Sequence, residues 1–498
     1  MNKRSIAQTL LVCSAALSAG LPVAAQKSAG LGGSMRQLAP SALAGEMGER
    51  IGADPSRPLL RLTTALDGVP ARIEADAPVS TTPLELTDAV RRAVERHPSI
   101  SDAVATMRQQ AGTIDVARAA YYPQVRLGVG AGTNNSAPTT GGADGRGTLA
   151  TASVSQMLYD FGKVAGAVDQ SEALLRRQQA LVLRQIDWVS QQAAEAVVLS
   201  HRYQALAALA QDQVDAVGRV LETARLRADA GISTRADPIQ AKSRYDSARA
   251  NLLQVQAQQR QGRERLQTLL GRGLPTRIAE LPDRLAQAAD GELALDAALD
   301  LMPEVLAAQA ERRAAGAQLE IAKAQRYPTI SLDASINKAF GGVNAATQQR
   351  NGSYHTVMVN LSSTLYQGGA VEAQVRAALA AEEAARMRIE TARLNASDQA
   401  RSFREQILGA EARLGVLADR RRAMVEVRDL YREQYTLGTR SILDLLNAEQ
   451  EIYQAAAEQE AVLHDLWQSR VSYIAATGQG RNYYGLNNTT VQGMEINP

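Results

Sequence analysis

Four short stretches of the chain alternate apolar and polar residues, and two very long stretches between them keep a helical rhythm. Val125, Leu127 and Val129 alternate with Arg126, Gly128 and Gly130, and Ile330, Leu332, Ala334 and Ile336 alternate with Ser331, Asp333, Ser335 and Asn337. Return runs follow at 148–158, rich in Thr, Ala and Ser, and at 355–365, where Val357, Val359 and Leu361 alternate. A period of two predicts strands whose two faces meet different surroundings. The Gly-, Asn- and Thr-rich segments 131–147 and 338–353 read as turns between paired strands. From Lys163 to Ala230, and again over 370–437, there is no proline, and each stretch is 68 residues long. At a rise of about 1.5 Å per residue such a helix is roughly 100 Å long. It needs partners along its whole length, as in a coiled coil or a helical barrel. Further helices are predicted over about 84–120, 240–272, 293–325 and 440–476. The segments 240–272 and 293–325 have 33 residues each; stacked end to end, they would match one long helix in height.

The chain repeats itself. At a shift of 205, Pro98 falls on Pro303, Tyr122 on Tyr327 and Pro123 on Pro328. At a shift of 207, Leu158-Tyr159 falls on Leu365-Tyr366, Gly162 on Gly369, Gly231 on Gly438, Asp237 on Asp444, and Gly271 and Gly273 on Gly478 and Gly480. Ordered Pro, Tyr, Gly and Asp matches at nearly one offset make this an internal two-fold repeat. Each copy has one grammar: a helix ending at Tyr-Pro, where proline drives its predecessor out of the α region, a strand pair, a long helix, a glycine turn and a returning helix. The expected organisation is a signal peptide at 1–25, a poorly ordered extension at 26–83, a first repeat at 84–273, a linker at 274–292, a second repeat at 293–480 and a C-terminal tail at 481–498. The extension and the tail, rich in Ala, Gly, Pro, Asn and Thr, read as poorly packed.

Composition sharpens this picture at three points. Lys3 and Arg4, the apolar run Leu10–Ala19 and the small-residue pattern Val23-Ala24-Ala25 form a secretory leader. The single cysteine, Cys13, lies inside it, so neither disulfides nor thiol chemistry is expected of the mature chain. The 54 basic residues stand against 52 acidic ones, and loss of Lys3 and Arg4 brings the charge near zero, which offers no electrostatic case for nucleic acid. No later segment has the 18 or more consecutive apolar residues of a membrane helix. Only helices and closed barrels satisfy the backbone in lipid, so the four two-faced strands predict a barrel wall, lipid outside and water inside. The scarcity of aromatics, at 4%, argues against that wall, and a small soluble sheet is the competing reading.

Several motifs imitate chemistry without its context. Asp160-Phe161-Gly162 resembles a kinase metal-binding triplet but has no catalytic-loop partner and sits where a strand meets a helix. Gly128-Val-Gly-Ala-Gly132 has the wrong spacing for a dinucleotide fold. His97, His201, His355 and His464 show no mutual ligand spacing and read as packed or exposed structural residues. No enzyme, cofactor or metal is expected. Gly231 and Gly438 end the long helices, where a left-handed cap residue is needed. Asp237 and Asp444 follow six residues later. They either complement a positive helix N-terminus or, in a symmetric assembly, form an acidic ring that favours cations.

These features together resemble the TolC family of outer-membrane factors over about residues 84–480. The resemblance rests on the two Tyr-Pro openings, on Gln156-Met-Leu-Tyr-Asp-Phe-Gly162 with Thr364-Leu-Tyr-Gln-Gly-Gly369, and on the turn Tyr435-Thr-Leu-Gly-Thr-Arg-Ser-Ile-Leu-Asp-Leu-Leu-Asn-Ala448. It implies a mixed α and β membrane protein: a homotrimer in which four strands per chain give a 12-stranded outer-membrane β-barrel above a periplasmic helical barrel. It further implies a periplasmic adaptor docking on the turns at Gly231, Ile232, Gly438 and Thr439, and energy from an inner-membrane ATPase or proton-driven pump. Asp237, Tyr435 and Arg440 match the periplasmic gate, with Ala236 where a threonine would contribute. Asp444 and Asn447 match a selectivity ring whose second acid is here an amide, so a less negative constriction is expected. The Tyr-Asp-Phe-Gly and Tyr-Gln-Gly-Gly forms look most like members serving type I protein secretion, with small-molecule efflux the alternative. A soluble periplasmic helical-hairpin adaptor is the alternative of another class.

Overall fold

A computed structural model describes residues 60–62, 82–133, 146–275, 277–282, 284–286, 298–340, 347, 349 and 351–496. The expected signal peptide and most of the extension 26–83 lie outside these residues. In chain order the elements are β1 (Leu60–Leu62), α1 (Leu86–Arg96), α2 (Pro98–Arg118), β2 (Gln124–Thr133), β3 (Arg146–Tyr159), α3 (Lys163–Asp229), α4 (Ala236–Leu270), α5 (Pro303–Ala324), β4 (Thr329–Phe340), β5 (Ser353–Ser362), α6 (Ala370–Thr436), α7 (Ile442–Ala476), α8 (Gly480–Tyr483), β6 (Thr490–Val491) and β7 (Met494–Ile496).

The two long helices, α3 and α6, have 67 residues each, and α4 and α7 have 35 each. Lacking proline, the long helices run unbroken. They stop where Gly231 and Gly438 take φ of 71° and 80°, a region that an L side chain enters only under strain. The amides of Gly231 and Ile232 return to the carbonyls of Ala228 and Arg227, and those of Gly438 and Thr439 to Tyr435 and Gln434, so orphan carbonyls at each helix end are satisfied. At the other end of α3 the Asp160 carboxylate accepts the amides of Gly162 at 3.0 Å and Val164 at 2.5 Å, which caps the helix.

Two helical expectations are corrected. The approach 84–120 is two helices, because Pro98 lacks the amide that would continue α1 and instead opens α2 at its first turn. Pro303 opens α5 in the same way. Helix α5 therefore has only 22 residues, and with α4 it falls short of the 67 of α3. Helix α3 is central: it packs on α2 and α5 through its first half, on α4 through its second, and on α7 of the other repeat. Gly166 permits the α3–α5 approach, since a Cβ there would lie 2.7 Å from Cγ1 of Ile321. Helix α6 packs on α5 and then α7 and buries little: Ala378, Ile389 and Ala400 form one series and Ala385, Ala396 and Ile407 another. Each series recurs every eleven residues, the spacing that keeps its members on one face of a nearly straight helix.

The four main strands form one antiparallel sheet in the order β2-β3-β4-β5. Its register aligns Val125, Val154, Ala334 and Val357 across one face and Arg126, Ser153, Ser335 and Thr356 across the other. The polar face is knitted by Ser155 donating to Asp333 at 2.5 Å and Thr151 donating to Asn337 at 2.8 Å.

The largest core cluster lies midway along the helices, where Val90, Ile100, Leu183, Ile186, Leu270 and Ile474 meet. The expected tail 481–498 is not loosely packed there. Tyr484, Leu486, Val491, Met494 and Ile496 are all buried in that cluster, and β7 pairs with both β6 and β1. Buried Arg481 brings its Nε within 3.2 Å of Asp187 on α3, whose carboxyl burial pushes up to about 7 despite that cation. The expected linker is also packed where described: Leu274 and Leu285 are buried, and Leu84 exchanges backbone hydrogen bonds with Arg277 and Ala279.

Candidate functional site at the helical tips

Four helices converge where the two glycine turns lie. Val217, Val220, Leu221 and Ala224 of α3, Ala241 of α4, Tyr435 of α6, and Ile442, Leu445 and Leu446 of α7 form one buried cluster. Tyr435 is 4% exposed. Its hydroxyl has no hydrogen-bond partner among the described residues. Burial raises its pKa above the ordinary tyrosine value, opposed by Arg227 and reinforced by Asp237. Asp237, in the first turn of α4, accepts the Thr234 hydroxyl at 2.8 Å. Arg440 places Nε 3.1 Å from Asp444 of α7 and its guanidinium 4.1 Å from the Tyr431 ring centroid. Asn447 accepts from Arg244 of α4 at 3.3 Å.

Within one chain, then, Tyr435 and Asp237 are electrostatic neighbours, whereas Arg440 is joined to Asp444 and not to Asp237. Gate and ring residues thereby share one ion pair. It is partly exposed, with side chains 36% and 43% accessible, and such a pair contributes about 0.2–1 kcal/mol. Sequence reasoning missed Arg227, Arg244 and Tyr431, which hold these groups in place. It also missed buried Glu449, which lies between Arg428 at 3.6 Å and Arg432 at 3.5 Å. The repeat carried one usable signal: Arg227 stands four residues before its turn glycine, where the second copy has Gln434. Around the tip Leu226, Ile232, Ile239 and Leu437 are exposed, an apolar surface beside the expected docking turns.

At the opposite end, Tyr121, Tyr122, Tyr159, Phe161, Tyr327 and Tyr366 are exposed at the junction of strands and helices. Phe161, at φ 59°, stacks on Tyr327 with centroids 5.2 Å apart and meets Tyr159 edge-on at 4.7 Å. Lys163 Nζ donates to the Tyr327 carbonyl and the Thr329 hydroxyl at 2.8 Å each. The Asp-Phe-Gly triplet is therefore a strand-to-helix joint. These six exposed aromatics share one level, as in the girdle at a membrane interface, although the chain's other aromatics lie elsewhere.

His201 and His464, 263 positions apart, join α3 to α7. His464 Nδ1 donates to the Glu460 carbonyl at 2.7 Å, leaving its Nε2 to accept from His201 Nδ1 at 2.8 Å. Burial lowers both pKa values; the neighbouring His464 lowers that of His201 further, while Glu460 and Glu280 oppose. Arg202 and Asp465, an ion pair at 2.8 Å, flank the rings. Because the folded-state values lie below the unfolded one, the unfolded chain binds more protons in acid. The pair's stabilisation is complete above about pH 6.5 and is lost as pH falls below it. A His201→Gln, His464→Gln variant should therefore lose part of the acid sensitivity of thermal melting below about pH 6.5; an unchanged pH profile would rule the pair out as its source.

The chain thus carries a two-faced sheet at one end of its long helices and a four-helix tip about 100 Å away at the other. The family model described as Outer membrane efflux protein matches residues 89–272 and 294–479. The outer membrane efflux protein BepC of Brucella suis is 25% identical over 403 residues, covering 79% of this chain and 85% of that protein. Protein CyaE of Bordetella pertussis is 28% identical over 254 residues, 50% of this chain and 53% of that one. The crystal structure of the outer membrane protein VceC from Vibrio cholerae superposes with a TM-score of 0.66 at 21% identity, over 79% of this chain and 96% of that one. The chain belongs to the outer membrane efflux protein family, the TolC family. It is an outer-membrane efflux channel, a transport protein and not an enzyme.

Proposed function

We propose that three copies of the chain close into one tunnel that conducts cargo from a periplasmic adaptor and an inner-membrane transporter to the cell exterior, serving type I protein secretion. The observation that carries closure is the sheet. Its outer strands, β2 and β5, are each paired on one side only among the described residues, yet both present apolar side chains to the surroundings, with Leu127 83% and Val357 68% exposed. An open edge is untenable in lipid. On α6, Leu379, Met387, Leu394, Leu408, Val416 and Leu430 are exposed and follow one another at intervals of seven, eight or fourteen residues, a second seam awaiting a copy. The secretion assignment rests on the Tyr-Asp-Phe-Gly and Tyr-Gln-Gly-Gly junctions; small-molecule efflux is the alternative, and the Brucella relative is named an efflux protein without stated cargo.

In this reading the Gly231-Ile232 and Gly438-Thr439 turns meet the adaptor. Asp237, Tyr435 and Arg440 hold the resting tip narrow, and Asp444 with Asn447 lines the constriction. Recordings from the purified protein in planar bilayers test the whole arrangement. Arg440→Ala with Tyr435→Phe should raise resting conductance without lowering trimer yield. Asp444→Ala should reduce cation preference, and Asn447→Asp should strengthen it. Unchanged conductance removes the gate assignment, and unchanged reversal potentials in both ring variants remove the ring.

A further inference from the structure

Arg227 stands in the last turn of α3 and reaches out of its own hairpin. Its Nη1 donates to the Thr436 carbonyl at 3.0 Å. Thr436 is the last residue of α6, and the final carbonyls of a helix have no intrahelical partner and carry the negative end of its dipole. The guanidinium thus caps α6 from a different helix. The same group lies 4.9 Å from the Tyr435 ring centroid, within the reach of a cation–π contact. Its Nη2 lies 3.8 Å from where a Cβ on Gly438 would stand, so the side chain rests against the second turn. The backbone of Arg227 is committed to the first turn, its carbonyl accepting from Ile232 at 2.9 Å and Ser233 at 3.3 Å. Among the described residues its Nε finds no hydrogen-bond partner. Its charge is directed at a carbonyl and a ring that both belong to the second hairpin.

We infer that Arg227 is a positioning residue of the tip, a cross-hairpin cap that holds the α6–α7 turn against the α3–α4 turn in the closed state. The contact is one-sided. At the equivalent place in the second repeat stands Gln434, whose backbone carbonyl closes its own turn by accepting from the Thr439 amide and hydroxyl. Any separation of the two tips must break the Arg227 hydrogen bond and lift its charge from the Tyr435 ring, whatever happens to the Arg440–Asp444 pair. This inference rests on the gating reading proposed above, and it adds a group outside the residues assigned there.

The test compares Arg227→Ala, Arg227→Gln and Arg227→Lys with Arg440→Ala in bilayer recordings of the full assembled channel, with oligomer yield and thermal melting measured on the same samples. Arg227→Ala and Arg227→Gln should raise resting conductance roughly tenfold or more, the effect of losing one charge-assisted hydrogen bond on a two-state equilibrium. Arg227→Lys, which keeps a cation and a donor without the planar fork, should fall between wild type and Arg227→Ala. Yield and melting should stay at wild-type values, and this separates positioning from bulk stability. The inference is overturned if Arg440→Ala opens the channel and Arg227→Ala does not, if Arg227→Lys conducts as freely as Arg227→Ala, or if all three variants fail to assemble. If no variant at either position changes conductance, the gating reading itself falls with it.

Discussion

Deleting residues 481–498 should abolish the assembled channel. The segment carries the composition of a loose tail, yet it supplies Tyr484, Leu486, Val491, Met494 and Ile496 to the largest buried cluster. Each such side chain contributes about 1.5–3 kcal/mol on burial. Losing all five costs on the order of 10 kcal/mol, comparable with the whole stability of a typical domain. The deletion also strips β1 of its partner β7 and leaves Asp187 buried without Arg481. The expected result is no heat-stable oligomer in outer membranes, with Met494→Asp reproducing the loss by a single change. Normal yield of the truncated protein would show that the mid-tunnel core holds without this segment. Arg481→Ala should be milder than breaking an ordinary buried pair, because Asp187 can take up a proton. Its folded-state value, raised to about 7, means the folded chain binds that proton more tightly than the unfolded one. Its effect on stability is therefore least in acid and grows unfavourable as pH rises towards 7.

Placing arginine at Ala334 should block membrane assembly, whereas placing it one residue later, at Ser335, should be tolerated. Both positions lie in the middle of β4, in an interior strand of the sheet. Ala334 shares its face with Val125, Val154 and Val357, and Ser335 shares the other with Arg126, Ser153 and Thr356. An arginine on the lipid face of a barrel costs about 2–4 kcal/mol near the bilayer midplane, and three-fold assembly would repeat that cost in every copy. On the water-filled side the same charge remains solvated. Outer-membrane fractionation, followed by denaturant unfolding of whatever assembles, separates the two variants. Equal behaviour would mean that the apolar face does not meet lipid.

Much of this was legible because long, periodic segments announce themselves. The run from Lys163 without proline predicts α3 to within one residue of its observed end, and Gly231 and Gly438 mark both turns because only a left-handed residue closes them cheaply. The alternation around Ile330–Ile336 predicts β4 because a period of two survives without any partner being known. What stayed hidden lacked a period or a local signal. β6 and β7 have two and three residues, too few to alternate, and their burial depends on a surface built by helices hundreds of residues earlier. The His201–His464 bond joins residues that no spacing rule connects. At the tip, composition could place Arg440 and Asp444 on one turn, but which acid an arginine meets is decided by side-chain reach. Arg227 was overlooked because a helix-ending arginine ordinarily serves its own helix.

The eleven-residue recurrence on α6 gives the molecule a ruler with coarse graduations. Removing eleven residues would shorten that helix by about 16 Å while Ala378, Ile389 and Ala400, or their successors, still lie on the same face of it. Removing five or six would swing every later buried alanine towards water. Helix α3, equal in length at 67 residues, would have to lose the same amount or the two turns would no longer meet, and Arg227 would cap nothing. A change in the span between membrane and inner partner therefore requires matched edits in both halves of the chain, in whole graduations.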